Sequence, residues 1–331
     1  MSSQYRKSAT LSSSNNSYSY IFIPRSQSHR AILLFLHGFP STSHDWHNQI
    51  TYFSNNGYGV LAPDLLGYGG SSKPNNPAAY IGRKMASDII GILDHENITE
   101  QVIGISHDWG TYLLSQLAVY YGSRFRKYVF ISSPYSPPGR EVNVPAINQQ
   151  MKSLLGYETM GYWLFFAEEG SDEICAKNWE SLFDLCYTSD PQLWAEHLGP
   201  VGALKKFIES GSRAPLASWV TPKDKALHHS LFNGNYKSAM MWYKRAIENL
   251  GVEEEQKLNL RKKLEKPTLM VTGRKDAVAL SIVARQVMEQ MTEERNLRLI
   301  TLDSGHWIQL DKAAELNQEL ESFFSGETAK L

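Results

Sequence analysis

The stretch Gln101-Val102-Ile103-Gly104-Ile105-Ser106-His107-Asp108-Trp109-Gly110 decides the fold. After Gln101, residues 102–106 form an apolar run broken only by small ones, and 101–106 reads as a buried strand. Residues 111–121 then have helical length and spacing. A sharp strand-to-helix turn presses two backbones together, so it needs small residues two before and two after its apex. With Asp108 at the apex, the flanks are Ser106 and Gly110. With Ser106 there, the flanks would be Gly104 and Asp108, and an aspartate is not small. The register therefore presents Asp108 as a nucleophile. Taken alone, an aspartate at this place also reads as a buried cap of a helix N-terminus.

Working outward, residues 31–36, 58–62 and 127–132 are further short apolar runs stopped by turn residues. Helix-length segments at 43–54, 84–93 and 111–121 lie between them. Strands alternating with helices predict an α/β fold with a doubly wound, mostly parallel sheet. From 136 to 260 the pattern changes to aromatic residues at helical spacing, punctuated by Pro137-Pro138-Gly139 and Gly199-Pro200. Strands resume at 267–273 and 297–302, with helices at 281–291 and 313–324. The expected organisation is a core made of 1–135 and 261–331, interrupted by a helical cap at 136–260.

Composition narrows the function classes. The 331 residues are 42% hydrophobic and 20% charged, enough for a sizeable core. A formal net charge of −1 supplies no field for nucleic acid or an anionic membrane surface. No apolar run reaches the roughly 18 residues of a membrane span, and the first dozen residues lack a secretory h-region. Cys175 and Cys186 read as free thiols in a reducing compartment. The C-terminal Ala329-Lys330-Leu331 follows a polar Gly326-Glu327-Thr328 and has the form of a peroxisomal address. It predicts an import receptor as partner and a peroxisomal, otherwise cytoplasmic, location.

Two more loops complete a constellation. Asp276 follows the strand at 267–273, and His306 follows the strand at 297–302. Nucleophile, acid and base in that chain order, each in a loop after a strand, converge at one crevice. His37-Gly38-Phe39-Pro40 ends the first strong strand, and the backbone N–H groups of Phe39 and Trp109 are placed to form an oxyanion hole. Among His44-Asp45-Trp46-His47 the spaced metal motif is missing, and the segment reads as a solvated helix start. No cofactor or metal is called for.

Together HGFP, DLLGYGGSSKP, SHDWG, GRKD and DSGHW resemble the epoxide hydrolases of the α/β-hydrolase fold. The nearest likeness is to the C-terminal hydrolase domain of mammalian soluble epoxide hydrolase and to fungal relatives, without the mammalian amino-terminal phosphatase domain. It runs from about Tyr18 to Phe324. The resemblance implies two cap tyrosines that bind the epoxide oxygen. Gly161-Tyr162-Trp163-Leu164-Phe165-Phe166 places one at Tyr162, and Met241-Trp242-Tyr243-Lys244-Arg245 places the other at Tyr243. It also implies structural roles for His107 and for Asp64 in its loop.

Two positions depart from the family: Ser106 and Thr111 stand where glycines are usual. Trp163, Phe166, Trp242 and Trp307 are expected to line the substrate site, with Phe165 and Trp219 adding to an apolar tunnel. The implied substrate is a hydrophobic epoxide, fatty acyl or polyketide-like, met in detoxification or in secondary-metabolite biosynthesis. The implied assembly is a monomer or homodimer. A dehalogenase shares the aspartate nucleophile, but usually carries Asn or Trp where Phe39 stands. A non-catalytic ligand-binding member of the fold is the other alternative.

Overall fold

The computed structural model describes residues 3–232 and 234–326. The tail Ala329-Lys330-Leu331 lies outside them. At the centre is an eight-stranded sheet of β1 (Arg6–Thr10), β2 (Ser17–Ile23), β3 (Ile32–Leu36), β4 (Gly59–Pro63), β5 (Val102–His107), β6 (Phe125–Ile131), β7 (Thr268–Gly273) and β8 (Leu297–Leu302). Their order is β1-β2-β4-β3-β5-β6-β7-β8. From β4 to β8 all neighbours pair in parallel. β1 and β2 join one edge antiparallel.

The apolar runs are nearly continuous because both faces of the sheet are covered. In β3, Leu33 and Phe35 enter one core with Trp46, Ile50 and Phe53. Leu34 and Leu36 enter the other with Leu113, Leu114 and Leu117. Each fully buried side chain of this kind stabilises by roughly 1.5–3 kcal/mol. The strand order reverses between β3 and β5, so the loops carrying Phe39 and Asp108 open side by side. Such switch points form the ligand crevice of open α/β sheets.

Between β6 and β7 the described residues form helices, from Val144–Leu155 to Val252–Gln256, with one isolated bridge at Thr188 and Leu216. Polar ties fasten this helical layer over the strand C-termini. The Trp242 indole donates to the Leu66 carbonyl at 2.9 Å, and Tyr187 Oη donates to the Pro40 carbonyl at 2.7 Å. From the core, the Trp307 indole donates to the Cys186 carbonyl at 2.7 Å. Among the described residues no helix is long and apolar enough to cross a membrane.

Two local expectations change. The segment at His44–His47 is not a solvated start: Trp46 is fully buried against Phe35, and His44 stacks on His47 while facing Asp224 of the helical layer at 3.4 Å. The antiparallel pair β1 and β2 was not foreseen. Arg6-Lys7-Ser8-Ala9-Thr10 exposes four of its five residues and carries no apolar pattern.

Candidate active site

The chain turns from β5 into the helix Trp109–Tyr120 at Asp108, with φ 51° and ψ −123°. An aspartate held at positive φ marks a strained apex. Close packing enforces it: a Cβ on Gly110 would lie 2.2 Å from the Leu36 carbonyl oxygen. The two departures from the family fit the turn. Ser106 Oγ donates to the Val129 carbonyl at 3.0 Å, tying β5 to β6, and Thr111 Oγ1 donates to the Asp108 carbonyl at 2.6 Å.

Asp108, Asp276 and His306 meet. His306 Nδ1 lies 2.7 Å from Asp276 Oδ2, and its Nε2 lies 3.6 Å from Asp108 Oδ2. Asp276 is fixed in turn, since its Oδ1 accepts the N–H groups of Val278 and Ala279 at 3.1 and 2.9 Å. The Phe39 N–H donates to Asp108 Oδ1 at 2.8 Å. Trp109 opens the helix, where backbone N–H groups have no intrahelical partner. The Phe39–Pro40 peptide is cis.

Burial opposes charge on His306, but Asp276 and then Asp108 outweigh it and push its pKa up to about 10. Burial likewise opposes ionisation of Asp108, yet His306, His107 and the Phe39 N–H hold its carboxyl below the usual range. The resting site is therefore an imidazolium between two carboxylates. His107 and His37 stay neutral because burial drives them down, to about 3 and about 4. His107 is positioned to donate from Nε2 to the His306 carbonyl at 2.9 Å and to receive Gln309 at Nδ1, 3.3 Å away. Asp64 orders its loop, accepting from Ser43 and Gly70 and pairing with Arg6 at 2.9 Å.

From the cap, Tyr162 and Tyr243 face the same small cavity as Asp108 and His306. Their rings lie 6.0 Å apart. Burial and then the Asp108 charge raise both hydroxyls, so both are neutral donors at ordinary pH. Phe39, Phe166 and Trp307 also line the cavity. Trp163 and Trp242 do not. Each follows or precedes a cavity tyrosine by one helical position, and such neighbours point to different faces. Trp163 packs on Trp109 at 4.7 Å and on the cavity residue Tyr243 at 5.5 Å, and Trp242 packs on Trp109 at 5.9 Å. Phe165 and Trp219 also lie outside this cavity. In their place stand Trp194, Leu198, Cys186 and Val278, which the sequence reading missed. Both cysteines are free and buried. Among the described residues no cluster of His, Cys, Asp or Glu is placed to hold a metal.

An aspartate at a strained elbow, with an aspartate–histidine pair beside it at a topological switch point, is the arrangement of the α/β-hydrolase fold. The family model for that fold matches residues 31–173. The chain has this fold and is similar to epoxide hydrolases. It is 26% identical over 305 residues to epoxide hydrolase A of Mycobacterium tuberculosis, covering 89% of this chain and 90% of that protein. It is 25% identical over 291 residues to bifunctional epoxide hydrolase 2 of Mus musculus, covering 87% of this chain. The chain spans about half the length of the mammalian relatives it matches. The crystal structure of epoxide hydrolase A from Mycobacterium thermoresistibile superposes with a TM-score of 0.75 at 25% identity, covering 97% of this chain and 98% of that one.

Proposed function

We propose that this chain converts an epoxide to a vicinal diol through an ester on Asp108. One observation carries the reading: a single cavity is lined by Asp108 from the core and by Tyr162 and Tyr243 from the cap. That pairing suits a reaction in which one carbon is attacked while its oxygen gains a proton.

In the first step Asp108 forms a C–O bond to an epoxide carbon and the ring C–O bond breaks. The leaving oxygen takes a proton from a tyrosine as charge develops on it. Forming the ester removes the Asp108 charge, one of the two that hold the proton on His306. The imidazolium then returns a proton, through water, to the tyrosine and becomes a neutral base. In the second step water attacks the ester carbonyl carbon and gives its proton to His306, which Asp276 orients. The N–H groups of Phe39 and Trp109 receive the oxyanion. Collapse expels the diol oxygen, which takes the proton from His306, and the freed Asp108 carboxyl group passes its own proton to His306, restoring the starting imidazolium and carboxylate. Atoms and protons balance with water as the only co-reactant.

The aromatic walls support a hydrophobic substrate, with fatty acyl and polyketide-like epoxides as the classes, and a biosynthetic role as one setting. A panel of aryl, aliphatic and fatty acyl epoxides tests the reading: diol should appear with wild type and vanish with Asp108→Ala. Halide release from haloalkanes without diol formation would favour a dehalogenase instead. The tail Ala329-Lys330-Leu331 supports peroxisomal import. A fluorescent protein carrying this tail should move to peroxisomes, and loss of Leu331 should leave it diffuse.

A further inference from the structure

The cavity around Asp108 measures only about 20 Å³, room for about one water molecule. Any epoxide with more than a few carbons must extend beyond it. A larger chamber of about 260 Å³ adjoins it. Cys186, Trp194, His306 and Trp307 border both spaces, so they form the partition between them.

This partition is held in place. The Trp194 indole N–H donates to the Leu185 carbonyl and the Trp307 indole N–H to the Cys186 carbonyl, each at 2.7 Å. Adjacent carbonyls thus pin two indoles, and the Trp194 ring lies 5.1 Å from His306. Pinned rings give the partition a fixed position.

Beyond the partition the lining changes character. Ala217 and Trp219 give apolar surface, but Ser189, Ser218 and Ser304 bring hydroxyls to it. The charges there are matched: Lys275 pairs with Asp303 at 3.0 Å, and Asp311 accepts the Ser304 hydroxyl at 2.7 Å. Lys312 is the second cation on the wall and lies 3.8 Å from Glu315. Balanced charge offers no net attraction to an ionised group, whereas the exposed Ser218 hydroxyl offers a donor and an acceptor to a neutral one; Ser189 and Ser304 donate to the Pro215 carbonyl and to Asp311 and keep lone pairs to accept.

Resting on the epoxide reading above, we infer that the chamber beyond Trp194 and Trp307 binds the distal arm of the substrate, and that this arm carries neutral oxygen functions such as hydroxyls or ethers. Between the two substrate classes, this selects an oxygenated, polyketide-like epoxide over a plain fatty acyl one.

The test uses matched terminal epoxides with arms of equal length, one all-alkyl and one bearing ether and hydroxyl oxygens, together with a short epoxide lacking an arm. Wild type should favour the oxygenated arm about tenfold in kcat/KM, the effect of one or two neutral hydrogen bonds. Ser218→Trp, at an exposed wall position, should erase that preference and cost both long substrates at least tenfold more than the short one. Equal or better turnover of the alkyl arm overturns the inference, as does equal loss across long and short substrates. The corresponding diols give an independent readout, since Trp194, Trp219 and Trp307 report on the chamber by fluorescence. Their affinities should show the same preference, and equal affinities overturn the inference whether or not epoxides react. Absence of diol from every epoxide, with the binding preference intact, would instead overturn the epoxide reading.

Discussion

Replacing Tyr243 by Phe removes one oxygen and leaves the ring in place. The ring is held by Phe39 at 5.4 Å, Trp109 at 5.0 Å, Trp163 at 5.5 Å and Phe166 at 4.9 Å. None of these contacts needs the hydroxyl, so the fold should be unchanged. What is lost is a buried neutral donor facing the oxygen that leaves carbon. A positioned acid contributes roughly 10²–10⁴-fold, or about 2.7–5.5 kcal/mol at 1.36 kcal/mol per decade. Tyr162 remains beside the same oxygen, so the single variant should slow ester formation by about 10- to 100-fold. Tyr162→Phe should behave alike, and the double variant should lose most of the full factor. Stopped-flow tryptophan fluorescence with excess enzyme reads ester formation directly, because Trp109 and Trp163 pack on Tyr243. Hydrolysis of the ester should be little affected, since in that step His306 takes its proton from the attacking water and the tyrosines take no part. Wild-type rates of ester formation in both single variants would refute the assignment. So would a loss confined to the hydrolysis phase.

Asp276→Asn should slow ester hydrolysis by about 10²–10⁴-fold while leaving ester formation largely intact, because the carboxylate orients the base and stabilises its imidazolium in the hydrolysis step; rapid-quench mass spectrometry would show the adduct persisting. Gly110→Ala places a Cβ 2.2 Å from the Leu36 carbonyl oxygen and should cost about 1–3 kcal/mol in urea unfolding, with most activity gone. The pH dependence follows from His306, whose pKa rises from 6.5 to about 10 on folding. A raised pKa stabilises the fold fully below pH 6.5, and that contribution is lost as pH rises through about 10. Thermal melts should therefore fall more steeply towards pH 10 in wild type than in His306→Gln, and parallel curves would contradict the buried imidazolium.

Much of this site can be read in the chain because its local demands are strict. Only one register of Ser106–Gly110 puts small residues at both flanks of the elbow, and the loops with Asp276 and His306 follow apolar runs that read as strands. Residues 297–302 and 281–291 have the boundaries of β8 and the helix Ser281–Met291. The tyrosines are different: in a chain with 17 of them, only the likeness to known enzymes singled out Tyr162 and Tyr243. Trp163 and Trp242 were placed in the cavity by their aromatic character, although a helix turns about 100° per residue and aims them away from it. Trp194 escaped notice because its helix, Gln192–His197, spans six residues and has no periodicity to read. β1 escaped because it is exposed, its pairing supplied by β2 rather than by an apolar face.

The central claim is that Asp108, not water, bonds to the epoxide carbon. A single turnover with excess enzyme in ¹⁸O-water measures this most directly. The oxygen entering the diol should come from the Asp108 carboxylate, so the first diol should be mostly unlabelled. The label should enter Asp108 and reach the diol only in later turnovers, and His306→Gln should trap the ester on the peptide carrying Asp108. Label in the diol from the first turnover, with no adduct on that peptide, would contradict the covalent account.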